Sequence, residues 1–134
     1  MVGVMQPGSP SDIRPLRVLV VDDHAPFRAT VGTLLRDAGV EVIEAGTAIE
    51  ALERCPELPP DWVLMDVEMP DLDGFAATRR LVSRFPQVRV LILTQHDGDE
   101  WRQAARQAGA RGLLTKNDLS TLLHHLQLTS PHSP

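Results

Sequence analysis

The chain has 134 residues, 43% of them hydrophobic, which suits one globular domain with its own core. The net charge of −5 and the pI of about 5.4 argue against a general binder of nucleic acids or anionic membranes. The single cysteine, Cys55, excludes an intrachain disulfide and a multi-cysteine metal site, and no apolar run approaches the roughly 20 residues of a membrane span.

Both ends of the chain are predicted to lie outside this domain. Residues 1–15 are rich in Gly, Pro and Ser and lack the basic start and apolar block of a secretory signal, so we predict a disordered leader. Residues 129–134 predict a C-terminal tail, which leaves residues 16–128 as the domain. We therefore expect a cytoplasmic protein that does not bind membranes.

Five short apolar segments predict β-strands. They cover residues 17–22, 40–45, 62–66, 88–93 and 112–114. The first and third end in carboxylates, Asp22-Asp23 and Asp66, and Thr94 and Lys116 follow the fourth and fifth.

An amphipathic helix is predicted after each strand. Pro26 suits the first turn of the first helix, and Gly39 suits its end. Thr47 and Glu50 form the capping box of the second, which we expect Pro56 to end together with two further prolines. The third is expected to end near residues 85–86, the fourth to contain Trp101 and end at Gly109, and the last to contain Leu119, Leu122, Leu123 and Leu126.

This alternation predicts an α/β fold: a parallel sheet with helices on both faces, in the flavodoxin-like order 2-1-3-4-5. The carboxyl ends of parallel strands share one edge, where ligands bind such sheets. Five side chains are therefore expected to meet there: Asp22, Asp23, Asp66, Thr94 and Lys116.

These residue types suit phosphoryl transfer. Three neighbouring carboxylates repel one another, and Mg²⁺, which prefers oxygen ligands, relieves that repulsion. An aspartate can attack phosphorus, while an ammonium and a hydroxyl bind the phosphoryl oxygens. Two assignments remain open for Asp22 and Asp23: both bind the metal, or one caps the helix. His24 and His96 are not expected to be ligands, because carboxylates and phosphate favour Mg²⁺.

Four segments, taken in order, resemble response-regulator receiver domains, the phosphoacceptors of two-component signalling. They are residues 18–24 (VLVVDDH), 64–74 (LMDVEMPDLDG), 90–94 (VLILT) and 109–116 (GARGLLTK). The similarity covers roughly residues 16–128 and is greatest to the NarL/FixJ-type subgroup.

The resemblance implies a role for each residue of the site. Asp66 would be the phosphoacceptor, and Thr94 and Lys116 would bind its phosphoryl group. Asp22, Asp23, Asp66 and the backbone carbonyl of Glu68 would hold Mg²⁺, and Pro70 and Gly74 would shape the loop after the third strand. The implied partner is a sensor histidine kinase, and homodimerisation is possible.

The chain departs from the family at two positions. Leu113 stands where the family usually has the Tyr or Phe that reports phosphorylation, so the usual aromatic switch is in doubt. Asn117 stands where many receivers have proline, and we expect it to cap the last helix.

Three functions compete. The leading one is a signalling phosphoacceptor that catalyses only its own phosphorylation and dephosphorylation and is otherwise not an enzyme. A degenerate receiver that acts as an interaction module is kept open by Leu113. An aspartate-nucleophile phosphatase is disfavoured, because Glu68 occupies the position of its second aspartate. We expect no direct nucleic-acid binding by this chain, and slightly favour a stand-alone protein over part of a longer regulator with a DNA-binding domain.

Overall fold

A five-stranded parallel sheet organises residues 14–69 and 73–126, which are the residues that this computed structural model describes. The strands are β1 (Arg17–Val21), β2 (Glu41–Ala45), β3 (Trp62–Asp66), β4 (Arg89–Thr94) and β5 (Gly112–Thr115). Their order is β2-β1-β3-β4-β5, so the predicted flavodoxin-like topology is confirmed. Residues 1–13 of the predicted leader, the predicted tail and Pro70 lie outside the described residues.

Five helices cover the two faces of the sheet. They are α1 (Ala25–Asp37), α2 (Ala48–Glu57), α3 (Gly74–Arg84), α4 (Asp99–Gln107) and α5 (Leu122–His125). Because side chains alternate along a strand, Val18 and Val20 pack under α1 and α5, whereas Leu19 and Val21 pack under α2, α3 and α4. Both faces of the central strands β1, β3 and β4 are buried, which explains their apolar runs, whereas the edge strand β2 is partly exposed and contains two glutamates.

Glycines end α1 and α4 at the predicted positions. Gly39 and Gly109 have φ values of 84° and 97°, in the left-handed region that glycine adopts without steric cost. In each case the N–H groups of the glycine and of the next residue bond back to carbonyls of the last helical turn. These turns return the chain directly to β2 and β5.

The beginning of α2 is capped as predicted, but its end is not where we expected it. Thr47 Oγ1 accepts a hydrogen bond from the Glu50 N–H, and the Glu50 carboxylate accepts one from the N–H of Gly46, one residue before Thr47. The prediction that Pro56 ends the helix is wrong, because α2 continues through Pro56 to Glu57. In the last turn a proline removes only one helical hydrogen bond, so Pro56 is tolerated there. Pro59 and Pro60, which follow the helix, prevent it from continuing.

The last helix is shorter than predicted and is not capped by Asn117. Its helical residues are Leu122–His125, after Thr121, and Leu119 lies before it in a turn. The side chain of Asp118 accepts hydrogen bonds from the backbone N–H and the hydroxyl of Ser120. This local turn competes with helix formation, so the helix begins later than its apolar pattern suggests.

Candidate functional site

The strand register brings the predicted site residues level at one edge of the sheet. Val21 pairs with Met65, so Asp22 follows β1 beside Asp66 at the end of β3. Asp66 in turn pairs with Leu93 on β4. The next β4 residue, Thr94, pairs with Thr115 on β5, and Lys116 follows at once.

A lysine bridges the two buried acids. Lys116 Nζ lies 2.6 Å from Asp22 Oδ2 and 3.3 Å from Asp66 Oδ2, and both carboxylates are almost completely buried. Lys116 is the only lysine of the chain. The ring of Phe27 on α1 lies 4.9 Å from the same ammonium and supports it by a cation–π contact. Phe27 is a site residue that was not predicted from the sequence.

Burial and the neighbouring charges both shift the pKa values of Asp66 and Lys116. Burial raises the pKa of Asp66, and the charge of Asp22 adds to this, although the Glu68 N–H and Lys116 oppose it. Burial alone would lower the pKa of Lys116, but its contact with Asp22 and the charges of both acids raise the pKa above its ordinary value. The ammonium form of Lys116 is therefore strongly favoured.

The two oxygens of Asp66 have different surroundings. Oδ1 accepts a hydrogen bond of 3.0 Å from the Glu68 N–H, whereas Oδ2 faces Lys116. The beginning of α3 packs directly against this backbone: a Cβ atom on Gly74 would lie 2.4 Å from the Asp66 carbonyl oxygen. Only glycine fits there, which agrees with the predicted role of Gly74 in shaping the loop. The Asp73 side chain caps α3 by accepting a hydrogen bond from the Phe75 N–H.

Asp22 does not cap α1, whose N-cap residue is His24, but its side chain fixes the turn before that helix. Its Oδ1 accepts a hydrogen bond from the His24 N–H in the turn before α1, and its backbone carbonyl accepts one from Arg28. Its buried Oδ2 has no hydrogen-bond partner of suitable angle among the described residues, although Lys116 lies close enough for an ion pair. One oxygen thus fixes the turn while the other points into the site.

The donor set fits a hard divalent cation. Carboxylate oxygens of Asp22, Asp23 and Asp66 lie within 4.8 Å of one another, and Asp23 is exposed. Lys116 neutralises only one of the three charges, so a cation bound by oxygen ligands would relieve the remaining repulsion. The acidic cluster is therefore able to hold a metal ion such as Mg²⁺.

The side chains of Glu68 and His96 contact each other beside the acids. The Glu68 carboxylate accepts a long hydrogen bond of 3.5 Å from the Thr94 hydroxyl and lies 3.2 Å from His96 Nε2. The His96 ring also stacks on Trp101 of α4, with centroids 4.3 Å apart and an interplanar angle of 7°. A signal for this contact existed in the sequence: Glu68 and His96 each lie two residues beyond the ends of neighbouring strands.

Leu113 belongs to the hydrophobic core rather than to the site. It is buried on β5 in the cluster beneath α2, α3 and α4.

An open cavity of about 470 Å³ lies beside Lys116, at the surface of the site. It is lined by His24, Pro26, Phe27, Thr30, Gln95 and Asn117.

The family that this fold and site define is shown directly by comparison. The family model described as "Response regulator receiver domain" matches residues 18–127. The chain belongs to the response regulator receiver domain family, the signalling phosphoacceptors of two-component systems.

Curated relatives place it among regulators of the predicted subgroup. Response regulator GacA of Pseudomonas viridiflava is 42% identical over 103 residues, which are 75% of this chain and 48% of GacA. DNA-binding transcriptional activator DevR/DosR of Mycobacterium tuberculosis is 40% identical over 104 residues, 76% of this chain and 48% of that protein. The predicted NarL/FixJ-type resemblance is thus confirmed. The chain spans about half the length of the curated relatives it matches.

Solved structures agree with the fold. Chemotaxis protein CheY4 of Vibrio cholerae has a TM-score of 0.79 at 34% identity, covering 85% of this chain and 98% of that one. The receiver domain of the putative response regulator NarL from Mycobacterium tuberculosis has a TM-score of 0.73 at 35% identity, covering 79% and 87%. Within the described residues, no helix has the length and apolar character needed to cross a membrane.

Proposed function

We propose that Asp66 accepts a phosphoryl group from the phosphohistidine of a sensor histidine kinase. The observation that carries the proposal is the position of Asp66: a buried carboxylate at the end of the central strand, with one oxygen facing a bridging ammonium. Asp66 Oδ2 forms the new bond to phosphorus while the phosphorus–nitrogen bond breaks, and the histidine nitrogen leaves with the electron pair. In deactivation, water attacks phosphorus, the bond from phosphorus to Asp66 Oδ2 breaks, and inorganic phosphate and the free Asp66 carboxylate are released.

The neighbouring groups stabilise charge on the transferred phosphoryl group. A group on Asp66 Oδ2 lies on the side of Lys116, whose ammonium pairs with the equatorial oxygens. Thr94, at the end of the adjacent strand, donates its hydroxyl to another of them. The cavity beside Lys116 and Phe27 admits the donor.

Mg²⁺ completes this site in our proposal. Asp22, Asp23, Asp66 and the Glu68 backbone carbonyl are its ligands, supported by the mutual proximity of the three carboxylates. When bound, Mg²⁺ supplies positive charge to the phosphoryl oxygens and orients them. Lys116, which pairs with both Asp22 and Asp66, would share the neutralisation of the phosphoryl charge with the metal.

Phosphorylation of Asp66 can be tested with acetyl phosphate, a small phosphoryl donor. Wild-type protein incubated with acetyl phosphate and Mg²⁺ should gain the mass of one phosphoryl group, and Asp66→Asn should not. Asp61→Asn is the matched control, because Asp61 lies at the opposite end of β3, and this variant should be labelled like wild type. Labelling of Asp66→Asn at the wild-type level would remove the assignment.

The kinase partner is supported by the relatives, which are response regulators. Transfer from a phosphorylated histidine kinase to wild type but not to Asp66→Asn tests it directly. Size-exclusion chromatography with and without acetyl phosphate tests whether phosphorylation changes the oligomeric state. An unchanged elution volume would count against a phosphorylation-dependent homodimer.

A further inference from the structure

We propose that His96 transmits the phosphorylation of Asp66 to α4 by way of Trp101. This inference rests on the proposed function of Asp66. Leu113, on β5, has no polar group and is buried in the core, so it offers no hydrogen bond by which to follow Thr94. The contacts around His96 provide a different connection from the acid to a helix.

The connection begins at the residue that touches Asp66 directly. The Glu68 N–H donates to Asp66 Oδ1, so the Glu68 side chain emerges beside the phosphoacceptor. Its two carboxylate oxygens have different partners: Oε1 receives the Thr94 hydroxyl at 3.5 Å, and Oε2 lies 3.2 Å from His96 Nε2. The His96 N–H also donates to Thr94 Oγ1 at 3.1 Å. The backbone of His96 therefore contacts Thr94 and its ring contacts Glu68, and both of these residues lie beside Asp66.

The connection ends on α4. The His96 ring lies nearly parallel to the Trp101 indole, with centroids 4.3 Å apart. The Phe75 ring of α3 is tilted against the same indole, with centroids 6.2 Å apart. A shallow groove of about 330 Å³ is lined by Phe75, Glu100, Trp101 and Ala104. A change in the position of His96 therefore alters the surface between α3 and α4.

A phosphoryl group on Asp66 would disturb this arrangement for electrostatic reasons. It replaces the single charge of the Asp66 carboxylate with about two negative charges and adds several strong acceptor oxygens next to the Glu68 carboxylate. That carboxylate is 41% exposed, so it can rotate into water to escape the repulsion. The Thr94 hydroxyl has a single proton, and it exchanges a long hydrogen bond to Glu68 for a shorter one to the phosphoryl group. The His96 ring then loses its contact with the Glu68 carboxylate, while the His96 backbone N–H stays bonded to Thr94 Oγ1 and moves with it.

Fluorine NMR of protein labelled with fluorotryptophan measures the effect at Trp101. The chain has two tryptophans, and Trp62, at the far end of β3, serves as an internal reference. The two resonances are assigned with a Trp62→Phe variant. Addition of acetyl phosphate and Mg²⁺ should shift the Trp101 resonance and leave that of Trp62 in place, while intact mass measures labelling of the same sample.

Two substitutions of His96 distinguish the effect of its contact with Glu68 from the effect of its stacking on Trp101. His96→Phe keeps an aromatic ring on Trp101 but removes the contact with Glu68, and His96→Ala removes both. Both variants should still be labelled at Asp66 and lose most of the phosphorylation-dependent shift at Trp101. In the unphosphorylated state, His96→Phe should stay closer than His96→Ala to the wild-type Trp101 resonance. His124→Ala, which changes an exposed histidine on α5 away from this site, should keep the full shift.

The outcomes distinguish this inference from the proposed function. A wild-type Trp101 shift in labelled His96→Phe and His96→Ala would overturn the inference, and so would labelled wild type without any Trp101 shift. Either result would leave phosphorylation of Asp66 intact. Absence of labelling in wild type would overturn the proposed function and this inference with it.

Discussion

The Lys116 ammonium lies closer to Asp22 than to Asp66, with Nζ–Oδ2 distances of 2.6 Å and 3.3 Å. Without metal, the only lysine of the chain therefore chiefly neutralises the buried acid of β1 rather than the proposed phosphoacceptor. The same contact with Asp22 and the charges of both acids keep the pKa of Lys116 above its ordinary value despite burial, which would lower it. Lys116 thus reports on the charge state of the site.

Asp22→Asn should make Lys116 more reactive toward amine-modifying reagents. Loss of the Asp22 charge lowers the pKa of Lys116, so a larger fraction is neutral and nucleophilic at alkaline pH. Peptide mass spectrometry follows the modification at this one lysine, separately from the chain's amino terminus. Asp23→Asn is the control and should have a smaller effect, since within the described residues the ion pairs of Lys116 are with Asp22 and Asp66. Equal effects of the two variants would contradict this assignment.

Asp23→Asn should weaken Mg²⁺ binding and slightly stabilise the metal-free protein. The substitution removes one proposed ligand and one of three mutually repelling charges. Because Asp23 is exposed, the expected gain in the free energy of unfolding is up to about 1 kcal/mol. Calorimetric titration with Mg²⁺ and urea unfolding in EDTA measure the two effects. A clearly less stable metal-free variant would contradict a net repulsion among the three carboxylates.

Gly74→Ala should destabilise the protein by about 3 kcal/mol and impair labelling of Asp66. The added Cβ would lie 2.4 Å from the Asp66 carbonyl oxygen and 2.7 Å from Val67 Cα, so either α3 or the end of β3 must move. Gly46→Ala is the matched control: its nearest neighbour, at 3.6 Å, is the tip of the flexible Arg28 side chain, and the expected change is within about 1 kcal/mol. Similar unfolding curves for the two variants would argue against this packing.

Asp61 should stabilise the protein at neutral pH and lose this effect in acid. Burial raises its pKa, but the hydrogen bonds from Arg14 and the Arg17 N–H and the charge of Arg14 bring the pKa below its ordinary value. For a carboxyl with a lowered folded-state pKa, the stabilisation is present above the unfolded pKa of about 3.8 and disappears as pH falls through the folded one.

Comparison of Asp61→Asn with wild type isolates this contribution. At pH 7 the variant should be less stable by about 1 kcal/mol, because one ion pair is half-exposed while the backbone contact is retained by the amide oxygen. Urea unfolding at a series of pH values should show the difference shrinking below pH 4 or so. A difference that is constant with pH would exclude a charge effect.

The fold follows from the sequence because the buried strands are apolar on both faces and alternate with helices. With right-handed crossovers, that pattern leaves few sheet orders, and strand-end acids such as Asp22 and Asp66 must then meet. The helix boundaries were less predictable. Asp118 forms its own turn and delays α5, and Pro56 is accepted in the last turn of α2. Both helix boundaries depend on small differences in free energy between the helix and a local turn, and the pattern of apolar residues does not reveal these differences.

The contacts beyond the strand ends were predicted least well. The stack of His96 on Trp101 and the position of Phe27 beside Lys116 depend on rotamers and on the path of two loops. Sequence spacing indicates which strand ends lie level, so Glu68 and His96 could have been placed near each other. It does not indicate that Trp101 of α4 covers the histidine.

The excess of acid at the site edge bears on which phosphoryl donors it accepts. Asp22, Asp23, Asp66 and Glu68 face a single neutralising lysine, so a small anionic donor approaches against a repulsive field whenever metal is scarce. Salt screens such a field beyond about 10 Å at 0.1 M and should therefore speed reaction with acetyl phosphate. A donor protein with basic groups around its phosphohistidine would instead be attracted at low ionic strength. On the function proposed above, the same charge distribution would favour a basic donor protein over a small anionic donor.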